Sequence, residues 1–118
     1  MAHLLFHLRT PPHGHPAGEE ALEAILATSV FEPPLTVLFE GDGVFQLVRS
    51  QDVHALGCRD LAANWSALPV YEVTDLRVHG PSLAARGLTP EDLLLDVTVI
   101  NDAELAALIA DVDRVLSF

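Results

Sequence analysis

Apolar runs separated by turn-forming residues predict that strands and helices alternate along this chain. In residues 35–39, large aliphatic, aromatic and β-branched side chains fill nearly every position, so both faces of this strand are apolar. Strands of this kind belong to parallel sheets that helices cover on both faces. Four further strands are predicted over residues 4–8, 76–78, 94–100 and 114–118.

The segments between the strands carry helical spacing and helix boundary signals. Glu19 and Glu20 lie in the predicted first turn of a helix that follows the proline-rich loop 10–18 and ends before Pro33. Further helices are predicted over residues 52–68, over 81–86, and from 101 or 102 to 110. The alternation predicts an α/β fold in a single domain over residues 1–118, with three α/β/α layers and a mostly parallel five-stranded sheet.

The strand at 35–39 runs into the sequence Gly-Asp-Gly and then into a second apolar cluster, Val44, Phe45 and Leu47. In parallel sheets, ligands and partners bind at the carboxyl ends of the strands, where this segment lies. A dinucleotide fingerprint is excluded because Gln46 stands where it requires a third glycine. We therefore interpret the segment as structural and interfacial, with Asp42 in a tight turn.

Composition indicates that part of the apolar surface faces another subunit. Half of the 118 residues are apolar, and the mean hydropathy of +0.34 is high for a domain with a limited interior. The uncharged stretch 61–71 is too short to cross a bilayer, and residues 4–6 are too short for a signal peptide. We expect a cytoplasmic location and no membrane partner.

Charge and residue usage exclude several classes of function. The chain has six Arg, no Lys and seventeen acidic residues, for a net charge of −11, so direct nucleic-acid binding is not expected. Without Lys there is no Schiff-base chemistry and no P-loop lysine. The single Cys excludes an intrachain disulfide and a Cys-x-x-Cys pair.

Cys58 is the candidate nucleophile. The predicted helix places His54 one turn before it and Arg59 beside it, and positive charge favours the thiolate. The same position lies at the edge of the apolar arc near Trp65, which suits a half-buried small apolar side chain equally well. A thiol in mid-helix also lacks the helix N-terminus that usually lowers its pKa.

His13 and His15 lie in the loop after the first strand, at the same sheet edge as Asp42. Two imidazoles and a carboxylate are a set that can bind a metal. A solvated proline-rich loop explains the two histidines without a metal. His3 and His7 are weaker candidates, because four residues along a strand separate them by about 13 Å. We expect no cofactor and no resident metal.

Three separated segments form a specific combination of motifs. They are PHG with AG and EALEAILATS in residues 12–29, DGVFQL in residues 42–47, and YE with SL and ARGL in residues 71–88. Together they resemble the DsrE/DsrF-like sulfur-relay family, and within it the TusC/DsrF branch. The resemblance extends to the closing VLSF of residues 115–118.

The resemblance implies a cytoplasmic subunit of a heterohexamer that passes persulfide sulfur between proteins. The implied pathways are tRNA 2-thiouridine synthesis and dissimilatory sulfur oxidation, and the implied partners are DsrE/TusD-like and DsrH/TusB-like subunits. In the DsrE/TusD type, the acceptor cysteine lies near a strand end that corresponds to residues 78–82, where this chain reads Val-His-Gly-Pro-Ser. The resemblance therefore implies a subunit without catalytic activity of its own.

The residues also allow two other functions. Cys58 would make the chain a persulfide carrier. A small-molecule-binding α/β domain would use the strand ends near His13 and Asp42. Self-association of the isolated chain also stays open.

Overall fold

A computed structural model of the chain describes residues 2–12, 14, 16–48 and 64–118. Within these ranges the strands are β1 (Leu4–Leu8), β2 (Leu35–Phe39), β3 (Leu76–His79), β4 (Thr98–Ile100) and β5 (Arg114–Ser117). They form one sheet in the order β4-β3-β2-β1-β5, and every neighbouring pair is parallel. The predicted α/β fold class is confirmed.

Helical segments connect the strands. The α-helices that lie wholly within the described ranges are α1 (Ala17–Ser29), α2 (Gly80–Ala85) and α3 (Asp102–Asp111). The same part of the chain contains three 3₁₀ helices, at Gly41–Leu47, Leu68–Tyr71 and Pro90–Asp92. None of the helices in the described ranges has the length and apolar character that crossing a bilayer requires.

The main core fills one face of the sheet. Ala21, Leu22 and Ile25 recur at helical spacing on α1, and this apolar face is buried with Phe6 and Val37 in one cluster. The indole of Trp65 packs edge-on against the ring of Phe39, with 5.2 Å between ring centroids. The cluster also contains Leu8, Val44, Leu47, Leu68, Val73, Leu76, Val78, Leu83 and Leu93.

A smaller cluster lies on the opposite face. Strand alternation turns Leu5 and Leu38 away from the main core, and they pack with Ile100 and with Leu108 of α3. Apolar clusters on both faces make this a three-layer arrangement. This second face also carries polar side chains near both ends of the strands. Those at the carboxyl-terminal end form the site described below.

Three predicted elements differ from the structure. The fourth strand begins at Thr98 rather than at residue 94, because the chain before it pairs elsewhere: the backbone nitrogen of Leu94 donates to the carbonyl of Leu47, and Leu93 forms an antiparallel bridge with Val48. The predicted turn at Asp42 is the start of a seven-residue 3₁₀ helix. Pro69 opens the 3₁₀ helix Leu68–Tyr71 rather than ending a helix, and most of the predicted helix 52–68 lies outside the described residues.

Candidate functional site

Polar side chains collect at the carboxyl-terminal end of the sheet, on the face that carries α3. His7 of β1 is buried, and its Nε2 lies 2.6 Å from Oε1 of Glu40, the residue that follows β2. His79, the last residue of β3, is also buried. Because the strands are parallel, their last residues meet at one edge. This edge is the candidate functional site.

The ring of His79 is held between Ser82 and Asp102. Its Nδ1 lies 2.6 Å from Oγ of Ser82, and its Nε2 lies 2.6 Å from Oδ1 of Asp102. The Ser82 oxygen also accepts a hydrogen bond of 2.8 Å from the backbone N–H of Gly41. One arrangement of protons satisfies all of these groups: the Ser82 hydroxyl donates to Nδ1, and Nε2–H donates to the carboxylate.

Ser82, His79 and Asp102 have the composition of a Ser-His-Asp triad, but their geometry does not support nucleophilic catalysis. In that triad Nε2 faces the serine and the carboxylate holds Nδ1, whereas here the two nitrogens are exchanged. Ser82 is only 6% exposed. The Asp102 side chain is 82% exposed, so water weakens its effect on the ring. We therefore interpret the three residues as a network that fixes the β3–α2 junction.

A second contact joins the 3₁₀ helix Gly41–Leu47 to α2. Nε and Nη2 of Arg86 lie 3.1 and 2.9 Å from Oδ1 of Asp42. Nη1 of the same Arg86 donates to the backbone carbonyl of Ser82 at 3.1 Å. Because the Asp42 carboxylate is 55% exposed, this ion pair contributes at most about 1 kcal/mol. Its main effect is to set the position of the 3₁₀ helix.

The same 3₁₀ helix lies directly against the end of β1. A Cβ on Gly43 would lie 2.5 Å from the carbonyl carbon of Leu8 and closer still to its oxygen, so this approach requires glycine. Val44 and Leu47 are fully buried in the main core. The segment is therefore fixed to the sheet by both its backbone and its apolar side chains.

Gln46 is a polar residue in the middle of this buried segment, and its hydrogen bonds explain why it is tolerated there. Its side chain is fully buried. Its Nε2 donates to the carbonyl of Thr10 at 3.0 Å, and its Oε1 accepts from Nε1 of Trp65 at 3.2 Å. A buried amide with both ends paired avoids the cost of an unsatisfied polar group.

The residues predicted as site candidates fall into two groups. Cys58, His13 and His15 lie outside the described residues. Among the described ones, Asp42 is exposed and bound to Arg86, Phe45 is half-buried, and Val44 and Leu47 have no exposed surface. The interface role of this segment stays a prediction, and Asp42 and Phe45 are its members with exposed surface.

Sequence reasoning missed the His79–Ser82–Asp102 network and the His7–Glu40 pair. A usable signal was present at His79: a polar residue closes an otherwise apolar strand, three positions before a serine at the start of a helix. The partner Asp102 could not be named, because it lies 23 residues further along and the contact depends on where α3 begins. In the described part of the chain, no group of three His, Cys, Asp or Glu side chains is placed to hold a metal ion.

The all-parallel sheet in the order β4-β3-β2-β1-β5, with apolar clusters on both faces, defines an α/β protein. Its candidate site is the strand-to-helix junction at the carboxyl-terminal end of β3. The model of the DsrE/DsrF-like family matches residues 2–118. The chain belongs to the DsrE/DsrF-like family.

Curated relatives extend over the whole chain. The chain is 38% identical to the protein TusC homolog of Vibrio vulnificus strain YJ016 and to protein TusC of Escherichia coli O8, and 100% of both chains is covered in each comparison. It is 41% identical to the protein TusC homolog of Pseudomonas aeruginosa, over 97% of this chain and 96% of that one. The predicted resemblance to the family and to its TusC/DsrF branch is confirmed.

A solved structure shares the fold. The crystal structure of the ychN protein from Escherichia coli superposes with a TM-score of 0.83 and covers 100% of both chains. At 20% sequence identity, this likeness concerns the fold alone.

Proposed function

We propose that this chain is a subunit of a cytoplasmic sulfur-relay complex that serves tRNA thiolation, and that it positions its partners without carrying sulfur itself. The partners in this proposal are DsrE/TusD-like and DsrH/TusB-like subunits. Full-length similarity to proteins named TusC supports the relay and favours thiolation over sulfur oxidation.

The chemistry of the β3–α2 junction carries the proposal. In the sister subunits that the family resemblance implies, a cysteine near this junction accepts sulfur, and here the position near it is Ser82. Sulfur passes between proteins when a thiolate attacks the outer sulfur of a donor persulfide: a new S–S bond forms, the donor's S–S bond breaks, and the donor cysteine leaves as a thiolate. A serine hydroxyl cannot form that bond, and the hydroxyl of Ser82 is already committed to His79 and Gly41. The hydroxyl of Ser82 holds the β3–α2 junction in place but supplies no sulfur atom for the relay.

A scaffolding subunit needs surfaces for its partners. The described residues include eight large apolar side chains that are exposed, which accords with the excess of apolar residues in the composition. They are Val30, Phe31, Val70, Tyr71, Val99, Ile109, Val115 and Leu116. We propose that several of them are covered in the assembled complex.

Co-expression with the two sister subunits from the same genome tests the assembly. Native mass spectrometry of the purified material should show a hetero-oligomer that contains all three chains. The chain expressed alone is the control. If it elutes alone from a sizing column after co-expression with its sisters, the proposed scaffolding role is wrong.

Loading the complex with a persulfide donor tests which subunit carries sulfur. Intact-mass analysis after non-reducing denaturation should show the gain of one sulfur atom on the DsrE-like subunit and none on this chain. A gain on this chain would support the alternative in which Cys58 is the carrier, since Cys58 is its only cysteine.

A further inference from the structure

A groove lies at the amino-terminal end of the sheet, at the opposite end of the strands from Ser82. Its volume is about 700 Å³. One wall comes from the end of α1 and the loop before β2, and the other from the 3₁₀ helix Leu68–Tyr71 and the chain before β3. The lining includes Leu26, Val30, Pro34, Val70, Tyr71 and Val73.

This groove collects exposed apolar surface. Val30 is 75% exposed, Val70 82% and Tyr71 54%, and all three line it. Phe31, adjacent to Val30 in the chain, is 80% exposed. Four of the eight exposed large apolar side chains in the described ranges therefore lie at or beside one groove. Contiguous apolar surface of this kind is typical of a protein–protein interface.

Two glutamates line the same groove, one on each wall. Glu32 and Glu72 are both exposed, and neither side chain has a hydrogen bond or ion pair among the described residues. Both have left-handed backbone conformations, with φ of 55° and 63°. A glycine would be less strained at either position, so the carboxylates are placed here against the backbone preference.

The negative charges of the groove indicate which kind of partner segment can bind there. A second copy of this chain would bring the same carboxylates and a net charge of −11 to the contact, and like charges oppose association. A segment with apolar side chains flanked by Arg or Lys would fill the groove and pair with Glu32 and Glu72. Electrostatic complementarity of this kind fixes the orientation of an apolar contact.

We propose that this groove is the docking surface for a sister subunit, whose contacting segment has apolar side chains flanked by Arg or Lys. The inference rests on the proposed function, because that function supplies the sister subunits. Docking at the amino-terminal end would leave the opposite end of the sheet, with Ser82, open to the subunit that carries sulfur.

The test uses the purified chain and its two purified sister subunits, with affinity measured by titration calorimetry. Val70→Ser should weaken assembly at least tenfold, because it removes exposed apolar surface without changing the core. Ile109→Ser is the matched control, since Ile109 is 41% exposed on α3, away from the groove, and it should leave the affinity within twofold.

A second pair of variants tests the charges. The double variant Glu32→Gly, Glu72→Gly should weaken assembly about tenfold and remove much of its salt dependence, while the isolated chain becomes no less stable to urea. Glu91→Gln, an exposed acidic residue outside the groove, should change neither quantity.

The outcomes separate this proposal from the one on which it rests. If the wild-type chain does not assemble with its sisters, the proposed function and this inference both fail. If it assembles but the groove variants bind like wild type, or if Ile109→Ser weakens binding as much as Val70→Ser, only this inference is overturned. A homodimer of the isolated chain that Val70→Ser dissociates would also overturn it, because the occupant would be a second copy.

Discussion

The Oγ of Ser82 lies 2.6 Å from Nδ1 of His79, across the junction where β3 turns into α2. This contact places a hydroxyl near the position where the family resemblance implies a cysteine in the sister subunits. It also ties the junction to two other segments, through Gly41 and through Asp102. Ser82 therefore does two things: its hydroxyl holds the junction together, and it leaves the junction without a thiol.

Ser82→Ala should destabilise the chain by about 1 to 3 kcal/mol, because it leaves the Gly41 N–H and Nδ1 of the buried His79 ring without their partner. Urea unfolding measures the change. Ser117→Ala, an exposed position on β5, is the control and should stay within about 0.5 kcal/mol of wild type. Equal stability of Ser82→Ala and wild type would show that the network does not fix the junction.

Gly43→Ala should destabilise the fold strongly, by about 3 kcal/mol or more, because its Cβ would meet the backbone of Leu8, which cannot move aside cheaply. Gly87→Ala is the matched control. Gly87 has a φ of +67° but no atom within 4 Å of an added Cβ, so the expected loss is about 1 to 2 kcal/mol from strain alone. Thermal unfolding followed by circular dichroism compares the two, and the reverse order of stability would contradict the close approach.

Gln46→Leu should cost about 2 kcal/mol, because Nε1 of Trp65 and the carbonyl of Thr10 lose their partner in a buried place. Fluorescence of Trp65, the only tryptophan, reports the unfolding. Thr10→Val is the matched control: the Thr10 hydroxyl is buried with no partner among the described residues, so its removal should be neutral or stabilising. Losses of similar size in both variants would contradict this view of the amide.

Asp75 gives the chain a pH dependence in the acid range. Partial burial alone would raise its pKa, but hydrogen bonds from Arg77 and Thr36 and the charge of Arg77 outweigh this and lower it from 3.8. The folded state therefore releases this proton more readily than the unfolded state. Its contribution is complete above about pH 4 and is lost as the pH falls through the lowered pKa.

Asp75→Asn should accordingly be less stable than wild type at pH 7, by less than about 1 kcal/mol because the Asp75 side chain is 40% exposed. The difference should shrink as the pH falls below 3.8, the unperturbed value. Urea unfolding at pH 7 and pH 3 measures it. Asp96→Asn, at an exposed position, should show no such change between the two pH values. If the stability difference between Asp75→Asn and wild type instead grew at pH 3, the pKa of Asp75 would be raised in the folded state, contrary to this account.

The sequence predicted the buried strands best. β1 and β2 were predicted with their observed bounds, because apolar runs between turn residues have few alternatives. The segment 94–97 was predicted wrongly as strand, since its apolar residues pack as irregular chain and Leu94 bonds to Leu47 instead of to β3. Periodicity cannot distinguish a strand from an apolar loop that the rest of the fold holds in place.

The candidate site was less accessible to sequence reasoning. Asp42 lies just after the end of β2, as expected, but its partner Arg86 lies 44 residues away and follows α2 directly. The network of His79 likewise joins three elements whose order in the sheet the sequence left open. Such contacts depend on strand order and helix docking, which local spacing does not contain.

The most direct test of the central claim, that this subunit acts without carrying sulfur, is the Cys58→Ser variant in the assembled complex. Because Cys58 is the only cysteine, this variant has no thiol at all. The measurement is the amount of thiouridine formed in tRNA by the complex, with sulfur supplied by a persulfide donor and its downstream proteins. The account predicts thiouridine at the wild-type level with the complex intact. Loss of thiouridine in an intact complex would contradict it and make Cys58 a carrier.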